Sequence, residues 1–482
     1  MKNLIIGLGC TGLSVARYLA AAQEDFVVLD TRTNPPLLAQ FYREFPNRLF
    51  VHAALNHPLV QQSSRIILSP GISFWEKNIQ SARQAGAVIT NDISLFMDEL
   101  SKRNPAMQFL PVVAITGSNG KTTVTNLVQQ MAQKQGMRAV MAGNVGMPVL
   151  DCLQHCLQQQ HPQKRDPQEQ HSEQQCPQQD RHDLYILELS SFQLETIHSL
   201  PVRLACILNL GEDHLDRYDS LALYHQTKNK IWQQSAYAVL PQDYAASLLS
   251  DGVKRPEQQK QFRFGMAASD LNQPFDIRDL QNKGYIFYKD QPLIALEQLH
   301  LNGQHHYLNF LAALTIGHAL GLSHDIMVDV IRAFTGLAYR CQKVASLDGV
   351  DYYNDSKATN ISAMLAAVDS LLYTSHSSQG RLWLMAGGQD KQTDFTALNQ
   401  IMPDIHSLLL FGQSAEKIKR SIHAMPNKIH QFDTMSAALD YARQHARSGD
   451  KVLLAPGCAS FDAFQNYQHR GQVFNMQVYR YI

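Results

Sequence analysis

Short apolar runs alternate with helix-length amphipathic stretches along nearly the whole chain. LIIGLG (4–9), FVVLD (26–30), RIILSPG (65–71), VVAITG (112–117), LYILELS (184–190), LACILNL (204–210), RLWLMAGG (381–388), LLLFG (408–412) and KVLLAPG (451–457) are the clearest. They are almost continuously apolar rather than alternating, which marks strands covered on both faces, and the intervening helices mark them as parallel. The pattern predicts an α/β fold. In such sheets ligands bind beyond the carboxyl ends of the strands, so the residues that follow each run are the ones to read for chemistry.

One stretch breaks the alternation. Residues 161–180, HPQKRDPQEQHSEQQCPQQD, hold seven Gln and three Pro and no aliphatic residue. A segment that cannot bury apolar surface predicts a surface loop inserted into a domain. The chain of 482 residues is long enough for two to four domains. Lys+Arg and Asp+Glu balance at 42 each, which argues against a nucleic-acid protein working through bulk charge. No run of apolar residues is long enough to span a membrane. The seven cysteines are scattered, as expected of free thiols in a reducing compartment, so a cytoplasmic protein is expected.

The first run leads into GLGCTG, where Gly7, Gly9 and Gly12 fit G-x-G-x-x-G. A second strand ends in Asp30, 18 residues after Gly12. This is a turn for a pyrophosphate at a helix N-terminus, with an acid placed for a ribose or base. On this motif alone a dinucleotide and another nucleotide diphosphate remain open.

The fourth run leads into TGSNGKTT. It departs from the strict Walker pattern, because Ile115 stands where a Gly would be. The mechanical parts are present: Gly117 and Gly120 to turn backbone N–H groups toward phosphates, Lys121 to reach them, and Thr122 or Thr123 to face Mg²⁺. Glu188 ends the next strand, and Asp213, His214 and Asp216 crowd after the one beyond, followed by Lys228 and Lys230 on a helix. Ionisable groups gathered after buried strands are costly unless they bind something.

TGSNGKTT, GNVGMP (143–148), ELSSFQLE (188–195), EDHLDRY (212–218), YHQTKNKIW (224–232), GQHHYLN (303–309), FTGLAYR (334–340), NDSKATN (354–360) and LAPGCASFD (454–462) stand in the order seen in Mur ligases, and the chain resembles that family over nearly its whole length. A nicotinamide dehydrogenase would leave most of these motifs unexplained. The resemblance implies an ATP-dependent amide ligase of peptidoglycan precursor synthesis. DTR (30–32) and SPGI (69–72), with DHLDRY and NDSKATN, favour the member that adds D-glutamate to UDP-N-acetylmuramoyl-L-alanine through an acyl phosphate. It implies three α/β domains: N-terminal and Rossmann-like (1–99) for the UDP substrate, central and P-loop-like with a mostly parallel sheet (100–336) for ATP, and C-terminal and Rossmann-like (337–482) for the amino acid. The Gln-rich insert, about 154–182, falls in the second.

The resemblance also implies residue roles. ATP would lie on Gly117, Ser118, Asn119, Gly120, Lys121, Thr122 and Thr123, with Asn309, Arg340, Asp355 and Lys357. Thr122 and Glu188 would hold one Mg²⁺. His214 and Lys228 would hold a second, Lys228 as a carbamate, since an ammonium cannot ligate a metal; Lys121, Glu188, His214 and Lys228 form the catalytic set. Cys10, Thr11, Asp30, Thr31, Arg32, Gly71 and Asn144 would contact the UDP substrate. Thr359 and Lys391 would take the α-carboxylate of D-glutamate, and Ser460, Phe461 and Tyr467 its side chain. The chain departs from the family pattern at His306, where an Asn is usual. Small-molecule substrates, no nucleic acid or membrane partner, and a monomer are expected.

Overall fold

A computed structural model describes residues 2–158, 182–211, 213, 217–244, 258–267, 272–373, 380–390, 393–423 and 425–481. The Gln-rich stretch therefore lies almost wholly outside the described residues. Each quoted apolar run contains a strand, and among the described residues the strands form four sheets.

The first sheet is parallel, in the order Phe50–His52, Phe26–Asp30, Asn3–Ile6, Arg65–Leu68, Val88–Thr90. Strand order reverses between Asn3–Ile6 and Arg65–Leu68, which opens a crevice at their carboxyl ends. The second is also parallel: Lys260–Phe264, Ser235–Pro241, Val202–Ile207, Leu110–Thr116, Leu184–Glu188, Ala139–Gly143. Its reversal falls at Leu110–Thr116, so TGSNGKTT emerges at the crevice. The third large sheet runs Gln342–Leu347, Val350–Asn354, Lys451–Leu454, Leu382–Gly387, Ser407–Phe411, Ile429–Phe432, parallel except for its first pair. Strands such as Phe26–Asp30, Leu184–Glu188 and Ser407–Phe411 are buried at every position, as two-sided cover requires.

The fourth sheet is an antiparallel meander, Phe275–Leu280, Lys283–Tyr288 and Gln291–Ala295. Its first reversal is a two-residue loop with Gln281 at φ 53° and Asn282 at φ 65°. Both angles are positive, as a type I′ hairpin needs, but the usual glycine is missing, so the sequence carried no hairpin signal.

The helix Asp92–Arg103 runs across residue 99, where the sequence places a domain limit. Asn91 caps it, accepting from Ser94 N at 2.9 Å and donating to Gln193 O at 2.7 Å. Ile93, Phe96 and Leu100 belong to one apolar cluster with Ile5 and Leu13 on one side and Leu110 and Leu187 on the other. The first two sheets therefore share a core.

A charged joint reinforces it. Glu195, 1% exposed at its side chain, pairs with Arg217 at 2.6 Å. Arg217 also donates to Pro70 O at 2.8 Å and Ile72 O at 3.0 Å, and Glu195 accepts from Phe74 N at 3.2 Å. The guanidinium lies 3.8 Å over the Phe192 ring. Removing one partner of a buried pair strands the other charge. Glu195→Ala is expected to destabilise the protein by about 3 kcal/mol, seen as an earlier thermal transition; an unchanged transition would show that the joint carries no load.

Candidate active site

The first glycine turn is closed by sterics. Gly7 has φ 96°, and a Cβ on Gly12 would stand 1.9 Å from Gly7 O. Ser69 Oγ donates to Gly7 O at 2.9 Å, which pins the SPGI loop beside the turn. Asp30 is buried and accepts from Leu8 N at 2.7 Å, from Arg32 N at 2.8 Å and from Arg32 Nε at 2.9 Å. Burial opposes its charge, yet these donors, Arg32 foremost, hold its pKa below the ordinary carboxylate value. Asp30 thus organises the turn, while Cys10, Thr31, Arg32 and Gly71 are exposed at its mouth and Thr11 is half-buried.

The second turn is held from several sides. Gly120 has φ 82°, and a Cβ there would meet Asn309 Oδ1 at 2.3 Å. Asn119 N donates to Asn209 Oδ1 at 2.8 Å. The Ser118 hydroxyl accepts from Gly211 N at 2.9 Å and lies 3.1 Å from the Tyr224 hydroxyl. The Lys121 ammonium folds back onto Gly117 O at 2.7 Å and Ser118 O at 3.0 Å. Lys228, 2% exposed, reaches the same Gly117 O at 3.1 Å and Thr116 Oγ1 at 3.4 Å. Lys230 instead donates to Glu195 O at 2.9 Å, away from the turn.

Glu188, 1% exposed, accepts from the Thr122 hydroxyl at 2.7 Å and from Asn144 Nδ2 at 2.8 Å. A carboxylate, a hydroxyl and an amide beside a phosphate turn form an oxygen-rich donor set that suits a hard divalent cation. The Arg340 guanidinium donates to Thr122 Oγ1 at 2.5 Å. Arg340 is flanked by Tyr339 at φ 62° and Cys341 at φ 45°, both in the left-handed region. Such conformations, costing on the order of 1–3 kcal/mol each, cluster at functional sites.

The third large sheet delivers Asp355, Lys357 and Thr359 after one strand and Ser460 after its neighbour. Burial pushes Asp355 up to about 7, against the pull of Arg340 and Lys357. Lys357 Nζ lies 4.3 Å over the Tyr467 ring. Asn360 donates to Asp213 at 3.0 Å and Asn119 to Ser362 Oγ at 2.8 Å, so this sheet's loops touch the second turn directly.

The second turn and residues that follow the third large sheet's strands line a cavity of about 1120 Å³. Ser118 to Thr123, Asn144 and Glu188 line it, together with Asn309, Arg340, Asp355, Lys357, Thr359, Ser460, Phe461 and Tyr467. Gly117, Lys228 and the residues of the first turn do not line it. His214 and Lys391 lie outside the described residues. Arg217 and Glu195 were not singled out in the sequence, although both stand inside quoted motifs; their signal was a charged pair in otherwise buried segments.

Two phosphate-type turns on separate parallel sheets, and a third domain closing over the second turn, define an ATP-dependent ligase of three α/β domains. The chain matches the Mur ligase MurD-like N-terminal domain over residues 1–91, the Mur ligase middle domain over 115–317 and the Mur ligase glutamate ligase domain over 339–458. The chain belongs to the Mur ligase family, ATP-dependent ligases of peptidoglycan synthesis. It is 36% identical over 480 residues to the UDP-N-acetylmuramoylalanine–D-glutamate ligase of Pseudomonas syringae pv. syringae, covering 99% of this chain and 97% of that one. The protein of the same name from Marinobacter nauticus is 38% identical, covering 99% and 98%. The solved UDP-N-acetylmuramate–alanine ligase of Thermotoga maritima shares the fold, with a TM-score of 0.59 at 16% identity over 100% and 99% of the two chains.

Burial lowers the Lys228 pKa well below its ordinary 10.5, and Lys121 lowers it further, against Asp213 and Glu188. The folded state therefore binds this proton less tightly than the unfolded state. Charging the buried amine opposes folding at low pH, and the penalty fades as pH rises toward the unfolded value. In CO₂-free buffer, Lys228→Met is expected to be more stable than the parent at neutral pH, with the gain shrinking toward pH 10.5. A gain that does not change with pH would contradict a buried amine of low pKa.

Proposed function

We propose that this protein joins D-glutamate to the alanyl carboxylate of UDP-N-acetylmuramoyl-L-alanine, forming ADP and phosphate. The observation that carries the reading is that one cavity is lined both by the phosphate turn and by Thr359, Ser460 and Tyr467. Full-length relatives at 36–38% identity bear the name of that activity.

The chemistry follows from what a carboxylate lacks. It is a poor acyl donor until its oxygen attacks the γ-phosphorus and displaces ADP. The amine of D-glutamate then attacks the acyl carbon, loses a proton, and expels phosphate as the amide forms. The phosphoryl step depends on positioning and charge neutralisation. Lys121 exchanges its bonds to Gly117 O and Ser118 O for the phosphates. Ser118, Asn119, Gly120 and Thr123 line the turn around them, and Lys357 adds a second cation. Asn309, Arg340 and Asp355 take the nucleoside. Thr122 and Glu188 would hold Mg²⁺, and His214 with Lys228 a second ion; bound there, Mg²⁺ neutralises phosphate charge.

Lys228 fits that role only as an anion. A buried amine shifted toward its neutral form is nucleophilic, and with CO₂ it forms a carbamate and releases a proton. Cys10, Thr11, Asp30, Thr31, Arg32 and Gly71 hold the UDP end, and Asn144 faces the muramoyl–alanine part. Thr359 and Lys391 take the α-carboxylate of D-glutamate, while Ser460, Phe461 and Tyr467 surround its side chain. We assign these functions to domains at 1–99, 100–336 and 337–482, in a cytoplasmic monomer.

Phosphate release with ATP, Mg²⁺ and the UDP substrate is expected with D-glutamate and not with L-glutamate or diaminopimelate. Release with another amino acid would move the chain to a sister activity. Lys121→Ala is expected to lower kcat by at least roughly 10²–10³-fold while UDP-substrate binding persists; loss of both would refute separate duties for the two turns. Lys228→Ala is expected to be inactive and partly restored by acetate, and an active enzyme whose Lys228 carries no carbamate would refute that assignment.

A further inference from the structure

Arg470 lies in the first turn of the helix Tyr467–Tyr479 and is 0% exposed. Its acceptors among the described residues are three backbone carbonyls and one hydroxyl. Nε donates to Ser356 Oγ at 3.0 Å and Nη2 to Ser356 O at 2.9 Å. Nη1 reaches Cys458 O and Ala459 O, each at 3.2 Å, and Nη2 also reaches Cys458 O at 3.2 Å. Burial pulls the guanidinium down to about 10, so it stays charged at neutral pH. Nearby Asp462 and Asp355 favour the charge through space, but a buried charge bonded mainly to dipoles costs several kcal/mol that an apolar side chain of similar volume would not.

The location of those carbonyls gives the charge its use. Ser356 stands between Asp355 and Lys357, at the carboxyl end of Val350–Asn354. Cys458 and Ala459 lead into Ser460, beyond the carboxyl end of Lys451–Leu454. A third segment joins them: Gln389 N donates to Ala459 O at 2.9 Å, and Ala459 N to Gln389 O at 3.0 Å. It leaves the adjacent strand Leu382–Gly387, and Gly388 lets it pass close, since a Cβ there would stand 3.1 Å from Arg470 Nη1 and 2.3 Å from Ala459 O. The Ser356 hydroxyl donates to Tyr467 O at 2.8 Å, tying the start of the helix to the same hub. Three strand ends side by side in one sheet thus converge on one guanidinium.

We propose that Arg470 is a positioning residue that fixes the phosphate-side loop at Lys357 against the amino-acid loop at Ser460, so that the nucleotide and the incoming amine are held in one register. The inference rests on the ligase reading above. Arg470 touches neither substrate; it acts through Ser356 and the carbonyls of 458 and 459. Losing it frees two loops at once, so the Michaelis constants for ATP and the amino acid should rise together. The first glycine turn belongs to another sheet, so the constant for the UDP substrate should not change.

The test is steady-state kinetics on the full chain with R470M, R470K and S356A. The wild type run beside them checks the ligase reading: if it turns over no substrate, that reading fails on its own. With an active wild type, R470M is expected to raise KM for ATP and for D-glutamate about tenfold each, with KM for the UDP substrate within twofold. R470K, which keeps the charge but not the fork of donors, is expected to fall between. A folded R470M with all three constants within twofold of wild type would reduce Arg470 to core filling and overturn the proposal. If R470M does not fold, S356A decides: it removes the hydroxyl acceptor and leaves the guanidinium. A paired several-fold rise in the same two constants supports the proposal, and unchanged constants overturn it.

Discussion

The carbonyl of Gly117 accepts from two lysines at once, Lys121 at 2.7 Å and the buried Lys228 at 3.1 Å. Two like charges converge there only because the surroundings permit it. Burial and mutual repulsion shift Lys228 toward its neutral form, while Asp213 and Glu188 pull the other way. Glu188 is held by Thr122 and Asn144, which leaves a carboxylate beside the turn. The resulting concentration of charge is a poor way to stabilise an empty fold and a good way to prepare a seat for phosphates and a cation. Prepared dipoles and charges need no reorganisation when the reaction begins.

Arginines make the joints between the loops that serve this seat. Arg217 ties the SPGI loop of the first sheet to Glu195 beside the second. Arg340 crosses from the strained segment after the central domain to Thr122. Arg470 gathers three strand ends of the last sheet. Arg217 and Arg470 use the planar fork of donors to bond several acceptors at fixed angles, which a lysine cannot do. Parallel sheets fix where strands end, but the loops beyond those ends are irregular and need their own fastening. The guanidiniums of Arg217 and Arg470, bonded to loop carbonyls, supply it.

Why some of this was legible in the sequence and some was not follows from the same distinction. Strands buried on both faces read as apolar runs because their environment leaves no other choice, and the glycines of the two turns read as turns because a Cβ at Gly12 or Gly120 would collide. The meander at 275–295 left little trace, since Gln281 and Asn282 adopt a hairpin geometry usually marked by glycine. Arg470 left none: one arginine in a polar helix looks like a solvated charge, and its burial depends on Ser356, 114 residues away in the chain, as well as on the loop at 458–459. Asp30 was visible as an acid after a strand, but its bonds to Leu8 N and Arg32 make it an organiser of its own turn. Side chains whose role is long-range fastening carry no local pattern, whereas residues that shape a turn do.

The division between the two turns has a physical rationale. The first turn does not line the cavity and lies on a different sheet, so whatever it grips is held away from the bond being made. A diphosphate handle bound at that distance contributes binding energy remote from the reacting atoms, and such energy is available to fix the orientation of the carboxylate at the other end of the molecule. That transfer works only if the two sheets do not slide. The shared core around Phe96 and the joint at Arg217 oppose sliding between the first two sheets. The third is fastened more lightly, through polar contacts such as Asn360 with Asp213 and Asn119 with Ser362, which can part and reform. The boundary between the first two sheets is thus a shared apolar core, whereas polar contacts carry the third sheet's loops to the second turn.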